Sequence, residues 1–341
     1  MSNGRWLRVL HPILYAMAWL LGSSASAAAQ AQDPGLARLE AELGRLSAIA
    51  RGKVGVGIVH LETGRELYLN PDEPFPMAST FKVPVAVQLF SLVDQRRVRL
   101  DSMVTLRPQD LHPGSGTLTS LFDDPGVSLS LRNLVELMLL ISDNSATDLV
   151  LKAAGNGPAV NARLAELGVQ GISVDRPTIL LIADAIGVST LPPENEWNKQ
   201  TFGKLVRQVT DSGRQAARET FLTDRRDTAT PRGMAKLLTK IWRKEGLSPA
   251  SADLLIDIMF RCETGPNRIK GLLPPSIRVA HKTGTLNMGI ANDVGIMELP
   301  DGAGHVVIAA FVKESQATSE LQERTIAHVA RATYDYFLFN R

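Results

Sequence analysis

Ser79 and Lys82 are the first pair of residues whose types and spacing suit a chemical reaction. They belong to the run Ser79-Thr80-Phe81-Lys82, where an extended, proline-containing segment gives way to a helical pattern. Residues three apart on a helix share one face, so the lysine amine can reach the serine hydroxyl. A desolvated, neutral amine can take the serine proton and create a nucleophile. Alone the pair is weak support, because a serine at a helix start is usually a cap.

A second group, Ser142-Asp143-Asn144, falls between two predicted helices. Ser142 can relay a proton between lysines and a leaving nitrogen, and Asn144 can hold a substrate amide. We expect Asp143 to bind the backbone of its own loop. Serine, aspartate and asparagine are also ordinary residues between helices, so this group alone indicates no activity.

A third group, Lys282-Thr283-Gly284-Thr285, lies late in a predicted strand. Lys282 can hold a substrate carboxylate, and Gly284 lets a substrate backbone come close. The backbone N–H groups of Thr285 and Ser79 can together stabilise a negatively charged oxygen. A Lys-Thr-Gly run on a strand is common, so this group also gains meaning only beside the other two.

The period of the apolar residues predicts the elements that must position these groups. Alternation between short turns predicts strands at 54–61, 66–69, 278–284, 292–299 and 305–312. Helical spacing predicts helices at 34–50, 80–93, 131–141, 146–154, 159–167, 199–222, 231–243, 251–260 and 318–339. Strands at both ends with helices between them predict an α+β fold, in which a five-stranded antiparallel sheet flanked by helices adjoins an all-helical subdomain. We expect the sheet subdomain to comprise residues 32–72 and 225–341, and the helical subdomain to comprise residues 73–224.

The order S-x-x-K, S-D-N and K-T-G is the signature of class A β-lactamases and penicillin-binding proteins. Other segments also resemble class A β-lactamases, along most of the chain after the N-terminal stretch, at 226–231, 264–269, 271–274 and 292–294. This resemblance implies a β-lactamase/transpeptidase-like fold. It implies that Ser79 is the acylated nucleophile, that Lys82 is its base or a proton relay, and that Ser142 carries protons to the leaving nitrogen.

The resemblance also assigns the residues that hold the substrate. It implies that Lys282 acts with the catalytic residues and, together with Asn144, Thr283 and Thr285, binds the substrate beside Gly284. No metal or cofactor is implied, because the six histidines are scattered and none forms a ligand pair.

The chain departs from class A β-lactamases in the loop that supplies their deacylation base. The family pattern there is R-x-E-x-x-L-N, whose glutamate activates the water that hydrolyses the acyl-enzyme. Here Arg176 is followed by Thr178 at the glutamate's place and by Ile182 at the asparagine's place. Without a general base, which contributes on the order of 10²–10⁴-fold, attack by water is slow.

The same loop carries a long insertion at about 178–224. Long insertions near a site are often functional lids, and a surface elaboration is the other interpretation. One hypothesis is that Glu194 or Glu196 re-enters the cleft and replaces the missing base.

Three functions therefore remain open at this point. The first is a serine β-lactamase that opens the β-lactam amide. The second is a D-alanyl-D-alanine peptidase that acts on peptidoglycan stem peptides, since these peptidases share the fold and the three motifs but lack the glutamate. The third is a sensor that traps a β-lactam or muropeptide as a long-lived acyl-enzyme without turning it over.

We expect structural roles for one histidine, His281, and for the cysteine Cys262. His281 precedes Lys282 in a predicted strand, so its side chain should point away from the cleft. Cys262 is the single cysteine of the chain, which excludes an intrachain disulfide. No residue near Cys262 in the sequence suggests a base, so we expect a small, half-buried side chain.

The composition and the N-terminal segment indicate which partners this protein lacks and where it acts. The 341 residues carry a formal net charge of +2, which matches the two N-terminal arginines Arg5 and Arg8 and argues against a nucleic-acid partner. Residues 1–31 resemble a signal peptide, with an apolar stretch at 13–21 and small residues that fit cleavage near 27–31. We therefore expect a secreted or periplasmic protein, with no later membrane span, that is a monomer.

Overall fold

The structure is a computed structural model that describes residues 33–122, 124 and 126–340. The predicted signal peptide lies outside these residues. The strands are β1 Lys53–His60, β2 Glu66–Leu69, β3 Phe75–Pro76, β4 Met103–Thr105, β5 Ser128–Ser130, β6 Thr228–Ala229, β7 Val279–Leu286, β8 Ile290–Glu298 and β9 His305–Lys313. The helices are α1 Pro34–Ser47, α2 Lys82–Asp94, α3 Leu118–Leu121, α4 Leu131–Leu140, α5 Asn144–Ala153, α6 Asn156–Glu166, α7 Thr178–Ile186, α8 Lys199–Gln208, α9 Asp211–Thr223, α10 Pro231–Trp242, α11 Pro249–Phe260 and α12 Ser319–Phe339.

The predicted five-stranded antiparallel sheet is confirmed, with strand order β2-β1-β9-β8-β7. Strands β8 and β9 are buried at nearly every position because both faces of the sheet are covered. Helices α1 and α12 pack on one face, where Leu43 and Phe337 belong to the same buried cluster as Ile308. Helix α10 packs on the other face, where Leu238 joins the cluster around Phe311. Strand β7 is at the edge of the sheet, so one side of it is free to form a site.

Helix α2 lies at the centre of the helical part of the molecule. All residues from Lys82 to Leu92 are buried, and α4, α5, α6 and α11 surround them. A helix that is apolar on every side needs such surroundings. A short 3₁₀ turn, Ala78–Phe81, precedes α2 and joins β3 to it. The division of the chain into a sheet and a helical subdomain at the boundaries given above stays a prediction.

The insertion differs from its sequence-based prediction. The single helix expected at 199–222 is wrong, because two helices, α8 and α9, are separated at Val209-Thr210. Val209 is extended, and the Thr210 hydroxyl accepts the N–H of Gly213 at 3.1 Å, which starts a new helix. Helix α7 was not predicted at all. Its first N–H groups, those of Thr178 and Ile179, donate to the carboxylate of Asp148 at 2.6 and 3.1 Å.

Arg176 anchors both ends of this insertion. Its buried guanidinium lies 2.5 Å from Asp184 on α7, 3.2 Å from Asp224 after α9 and 2.6 Å from Asp227 before β6. A buried cation is stable only when such partners surround it. Within the described residues, none of the helices is both long enough and apolar enough to cross a membrane.

Candidate active site

Ser79 sits in the 3₁₀ turn that leads into α2, at the floor of a large cleft. The turn is tight because Ala78 adopts a left-handed backbone with φ 46°, and because the Thr80 hydroxyl donates to Met77 O at 2.8 Å. Non-glycine residues with positive φ are costly and are often found at functional sites. Three residues after Ser79, Lys82 begins α2 with its side chain fully buried.

The Lys82 amine donates three hydrogen bonds, none of them to Ser79. They go to Ser142 O at 2.7 Å, to Ser142 Oγ at 3.0 Å and to Asn144 Oδ1 at 3.0 Å. Burial and the positive charge of Lys282 hold the pKa of Lys82 well below its usual value. A lowered pKa favours the loss of a proton from this amine, and Lys82 must lose that proton before it can act as a base.

The Ser142 hydroxyl lies between the two lysines. Its Oγ is 3.0 Å from Lys82 Nζ and 3.0 Å from Lys282 Nζ. Ser142 itself has a left-handed backbone with φ 62°. A hydroxyl both donates and accepts, so it can pass a proton from one amine toward a leaving group.

Asp143 holds this loop in place, as the sequence predicted. Its carboxylate accepts the N–H groups of Thr117, Leu118 and Ala146 at 2.7, 2.8 and 2.9 Å. The next residue, Asn144, lines the cleft, and its Nδ2 donates to Pro113 O at 3.0 Å.

Strand β7 forms the opposite side of the site. The Lys282 amine is fully buried and also donates to Thr283 O at 2.9 Å, and burial lowers its pKa to about 8. The Thr283 hydroxyl lies 2.6 Å from that of Thr264, and both residues line the cleft. At the end of the strand, Thr285 Oγ1 accepts a hydrogen bond from Arg268.

Arg268 belongs to the site, and the sequence analysis did not assign it a role. Its guanidinium donates to Thr285 Oγ1 at 2.7 Å, to Gly284 O at 3.0 Å and to Asn292 O at 2.8 Å, and it pairs with Glu323 at 3.1 Å. It also lines the cleft. The available signal was its place in the segment 264–269, which resembles the family but carries no motif of its own.

Gly284 makes a close contact that the sequence analysis did not predict. A Cβ there would lie 2.5 Å from Met77 O and 3.0 Å from Ser79 N. The absence of a side chain therefore lets β7 approach the turn that carries Ser79, and the approach of a substrate backbone to Gly284 stays a prediction. This close approach brings the N–H of Ser79 near the strand that carries Thr285.

His281 points away from the cleft and binds Asp293, with Nδ1 2.9 Å from Oδ1. Burial lowers the pKa of His281, but the charge of Asp293 and its hydrogen bond outweigh burial and raise the pKa to about 9. Cys262 is buried more fully than the half-buried side chain we expected, and the expectation that no base lies near it is wrong. Burial raises the pKa of the Cys262 thiol, but the positive charges of His281 and Lys282 lower it to about 7. Spacing could not reveal this pair, because 19 residues separate them and the strand brings them together.

The cleft has a volume of about 750 Å³, and the insertion forms one of its walls. Leu181, Ile182 and Ala185 of α7 line it, together with one face of α9. The hypothesis that Glu194 or Glu196 re-enters the cleft is wrong. Both side chains are exposed outside it, and Glu194 pairs with Lys152 at 3.3 Å.

Among the described residues, Asp211 is the only carboxylate that lines the cleft. Thr178, at the place of the family's glutamate, also lines it, and its buried Oγ1 has no hydrogen-bond partner in the structure. The described cleft therefore contains the hydroxyls of Ser79 and Ser142, with the buried amines of Lys82 and Lys282 next to Ser142, but no carboxylate at the position of Thr178.

Known proteins match this arrangement over most of the chain. The profile of the β-lactamase enzyme family matches residues 38–337. The chain belongs to the β-lactamase enzyme family. Within this family it is 30% identical to the β-lactamase VEB-1 of Pseudomonas aeruginosa over 84% of this chain and 86% of that protein. It is 28% identical to the extended-spectrum β-lactamase PER-1 of the same species over 97% of this chain and 96% of that protein.

Solved structures of the family agree with the fold. An ancestral class A β-lactamase is 30% identical, with a TM-score of 0.71 over 87% of this chain and 99% of that chain. The extended-spectrum β-lactamase TLA-1 is 27% identical, with a TM-score of 0.72 over 89% of this chain and 99% of that chain. This β-lactamase family member is therefore a class A serine hydrolase in fold and type.

Proposed function

We propose that this chain opens the amide of β-lactams through an acyl-enzyme on Ser79, and that the acyl-enzyme is hydrolysed slowly. The observation that carries the proposal is the Ser142 hydroxyl, 3.0 Å from the amines of both Lys82 and Lys282. This arrangement puts a hydroxyl that can carry a proton between the lysine that activates Ser79 and the lysine that binds the substrate carboxylate.

Acylation follows from these contacts. The neutral amine of Lys82 takes the proton of Ser79 as its oxygen bonds to the lactam carbonyl carbon. The N–H groups of Ser79 and Thr285 stabilise the oxygen that becomes negative. When the C–N bond breaks, Ser142 delivers its proton to the lactam nitrogen, and Lys82 passes the proton taken from Ser79 to Ser142 Oγ, which lies 3.0 Å from its amine. Lys82 is then neutral and Ser142 is again a hydroxyl, so that charge and atoms balance.

Residues on the β7 side bind the substrate carboxylate. Lys282 supplies a buried cation, and Thr283 supplies a hydroxyl that lines the cleft. Arg268 adds a second cation beside Thr285. Asn144 lines the cleft on the other side, which supports its proposed contact with the substrate amide.

Deacylation requires a water that attacks the ester and a group that accepts its proton. Thr178 cannot accept a proton at neutral pH, and Glu194 and Glu196 are outside the cleft. The described site therefore lacks a general base at the position where the family has its glutamate, and such a base contributes roughly 10²–10⁴-fold. Asp211, the carboxylate that lines the described cleft, belongs to α9 of the insertion rather than to that position. We expect fast acylation followed by a slower hydrolysis step.

The same missing base favours a second candidate, a D-alanyl-D-alanine peptidase. Such an enzyme uses the same acyl-serine and passes it to an amine or to water. We further propose that residues 1–31 direct the chain out of the cytoplasm and that it acts as a monomer. N-terminal sequencing of the exported protein and its sedimentation coefficient test these two points.

The decisive experiment is the intact mass of the enzyme over time after it is mixed with benzylpenicillin. We expect an adduct of the mass of the penicillin that forms within seconds and persists for minutes while hydrolysed product accumulates slowly. The variant Ser79→Ala should form no adduct. Labelling that survives in this variant would exclude Ser79 as the nucleophile, and an adduct that clears within seconds would exclude slow deacylation.

A further inference from the structure

One face of helix α9 forms part of the cleft wall. Asp211, Arg214, Gln215 and Arg218 all line the cleft, and their spacing of three, four and seven residues places them on a single helix face. This face carries two cations and one anion. The helix belongs to the insertion, so these residues have no place in the three motifs.

The two arginines of this face lack acidic partners in the described part of the chain. Arg214 Nη2 donates to the backbone Val206 O at 2.8 Å, which leaves its charge unneutralised. No ion pair within 4.0 Å joins Arg214 or Arg218 to a described carboxylate. By contrast, Arg176 and Arg226 at the ends of the insertion have two or more aspartate partners each.

Packing holds this charged face close to the nucleophile. Phe221 of α9 is buried against Leu181 and Ala185 of α7, and the same cluster includes Ala78, the neighbour of Ser79. The apolar strip of α7 therefore lies between the nucleophile and the arginines. An aliphatic chain that ends in an anion fits such a surface, since its methylene groups meet apolar side chains and its end meets unpaired guanidinium groups.

One part of the substrate has no assigned partner and can contact the wall formed by α9. The carboxylate of the β-lactam nucleus is assigned to Lys282, Thr283 and Arg268 on the β7 side. The remaining part is the acyl side chain, which is attached through its own amide to the carbon next to the reacting lactam carbonyl. We propose that the insertion selects substrates whose acyl side chain carries a terminal carboxylate, which Arg214 and Arg218 bind. This inference rests on the proposed function.

A matched pair of penicillins tests the proposal. The adipoyl and hexanoyl amides of 6-aminopenicillanic acid have side chains of equal length, and only the adipoyl chain ends in a carboxylate. The measured quantity is the second-order rate constant of acylation for each compound, taken from intact mass. We expect the wild-type enzyme to prefer the adipoyl compound, and the double variant Arg214→Gln/Arg218→Gln to lower the adipoyl-to-hexanoyl ratio by about tenfold.

The control variant is Arg207→Gln. Arg207 lies on α8 of the same insertion, is exposed and does not line the cleft. This variant removes an equal charge and should keep the wild-type ratio. Raising the salt concentration from 50 to 500 mM should lower the adipoyl-to-hexanoyl ratio of the wild-type enzyme. Added salt shortens the Debye length to below about 10 Å and so weakens exposed ion pairs.

The outcomes separate this proposal from the proposed function. An unchanged ratio in the double variant, with acylation intact, overturns the role of the arginines and leaves Ser79 chemistry in place. Failure of the wild-type enzyme to react with either penicillin overturns the proposed function itself. The carboxylate could belong to the side chain of a β-lactam or to a peptidoglycan stem peptide. Competition by Nα-acetyl-Nε-succinyl-Lys-D-Ala-D-Ala and by its Nε-acetyl analogue distinguishes these two substrates. Stronger inhibition by the succinyl peptide, lost in the double variant, assigns the same subsite to stem peptides.

Discussion

The Ser142 hydroxyl joins two lysines that have different tasks. Lys82 is useful when it is neutral, and burial together with the charge of Lys282 lowers its pKa. Lys282 is useful when it is charged, because only the ammonium attracts a substrate carboxylate. Burial lowers its pKa to about 8, so it changes charge within an accessible pH range.

This difference predicts a pH dependence at the scale of one residue. The pKa of Lys282 is lowered, so its positive charge is lost as the pH rises through about 8. The second-order acylation rate constant for benzylpenicillin should therefore fall above pH 8. In Lys282→Arg, whose guanidinium stays protonated, this decline should vanish. A wild-type profile that stays flat to pH 10 would show that Lys282 is not the cation that binds the substrate.

The insertion is the element that most distinguishes this chain from the family pattern. Arg176 and its aspartate partners fix both of its ends, and Asp148 holds the first turn of α7. As a result, Thr178 lies at the edge of the cleft with an unpartnered hydroxyl. The insertion lies where the family has its glutamate base, but here it contributes a hydroxyl and an apolar surface to the cleft.

A carboxylate at this position should restore the missing step. In Thr178→Glu, we expect the acyl-enzyme with benzylpenicillin to clear on the order of 10–10² times faster, because a general base can then accept the proton of water. The decay of the adduct mass measures the rate. Thr178→Gln has the same length without the base and should decay as the wild type does. Equal acceleration in both variants would attribute the effect to shape alone.

At the scale of the whole molecule, the site is a junction between two parts of the fold. Strand β7 supplies Lys282, Thr283 and Thr285, while the helical part supplies Ser79, Ser142 and Asn144. A covalently bound substrate contacts both parts at once. Anything that binds only the native state stabilises it, so a persistent acyl-enzyme should unfold at a higher temperature.

Thermal unfolding tests this coupling. Incubation with benzylpenicillin should raise the Tm of the wild-type enzyme by about 3 °C or more, because roughly 1 kcal/mol shifts the Tm of a larger domain by about 2–4 °C. Ser79→Ala treated in the same way should show no shift. A wild-type Tm that stays constant while the adduct is present would argue against contacts on both sides of the cleft.

Much of the fold could be predicted from local pattern. Apolar periodicity placed the five strands of the sheet and eight helices within three residues of their ends, because a period of two or 3.6 is a property of neighbouring residues. Helices α3 and α7 were missed, and α8 and α9 were merged into one. The boundaries of α7, α8 and α9 depend on Asp148, Thr210 and Arg176, whose side-chain contacts a periodic pattern does not contain.

The sequence by itself determined the family, the antiparallel sheet and the order of the three motifs, since these depend on residue type and on spacing along the chain. It also determined that the family's glutamate is absent from its usual place. Only the tertiary structure decided that Ser142 lies between two lysines, that Gly284 faces the nucleophile's own turn, and that α9 turns its arginines into the cleft. Each of these contacts joins residues far apart in the sequence, and their distances are set by packing rather than by spacing along the chain.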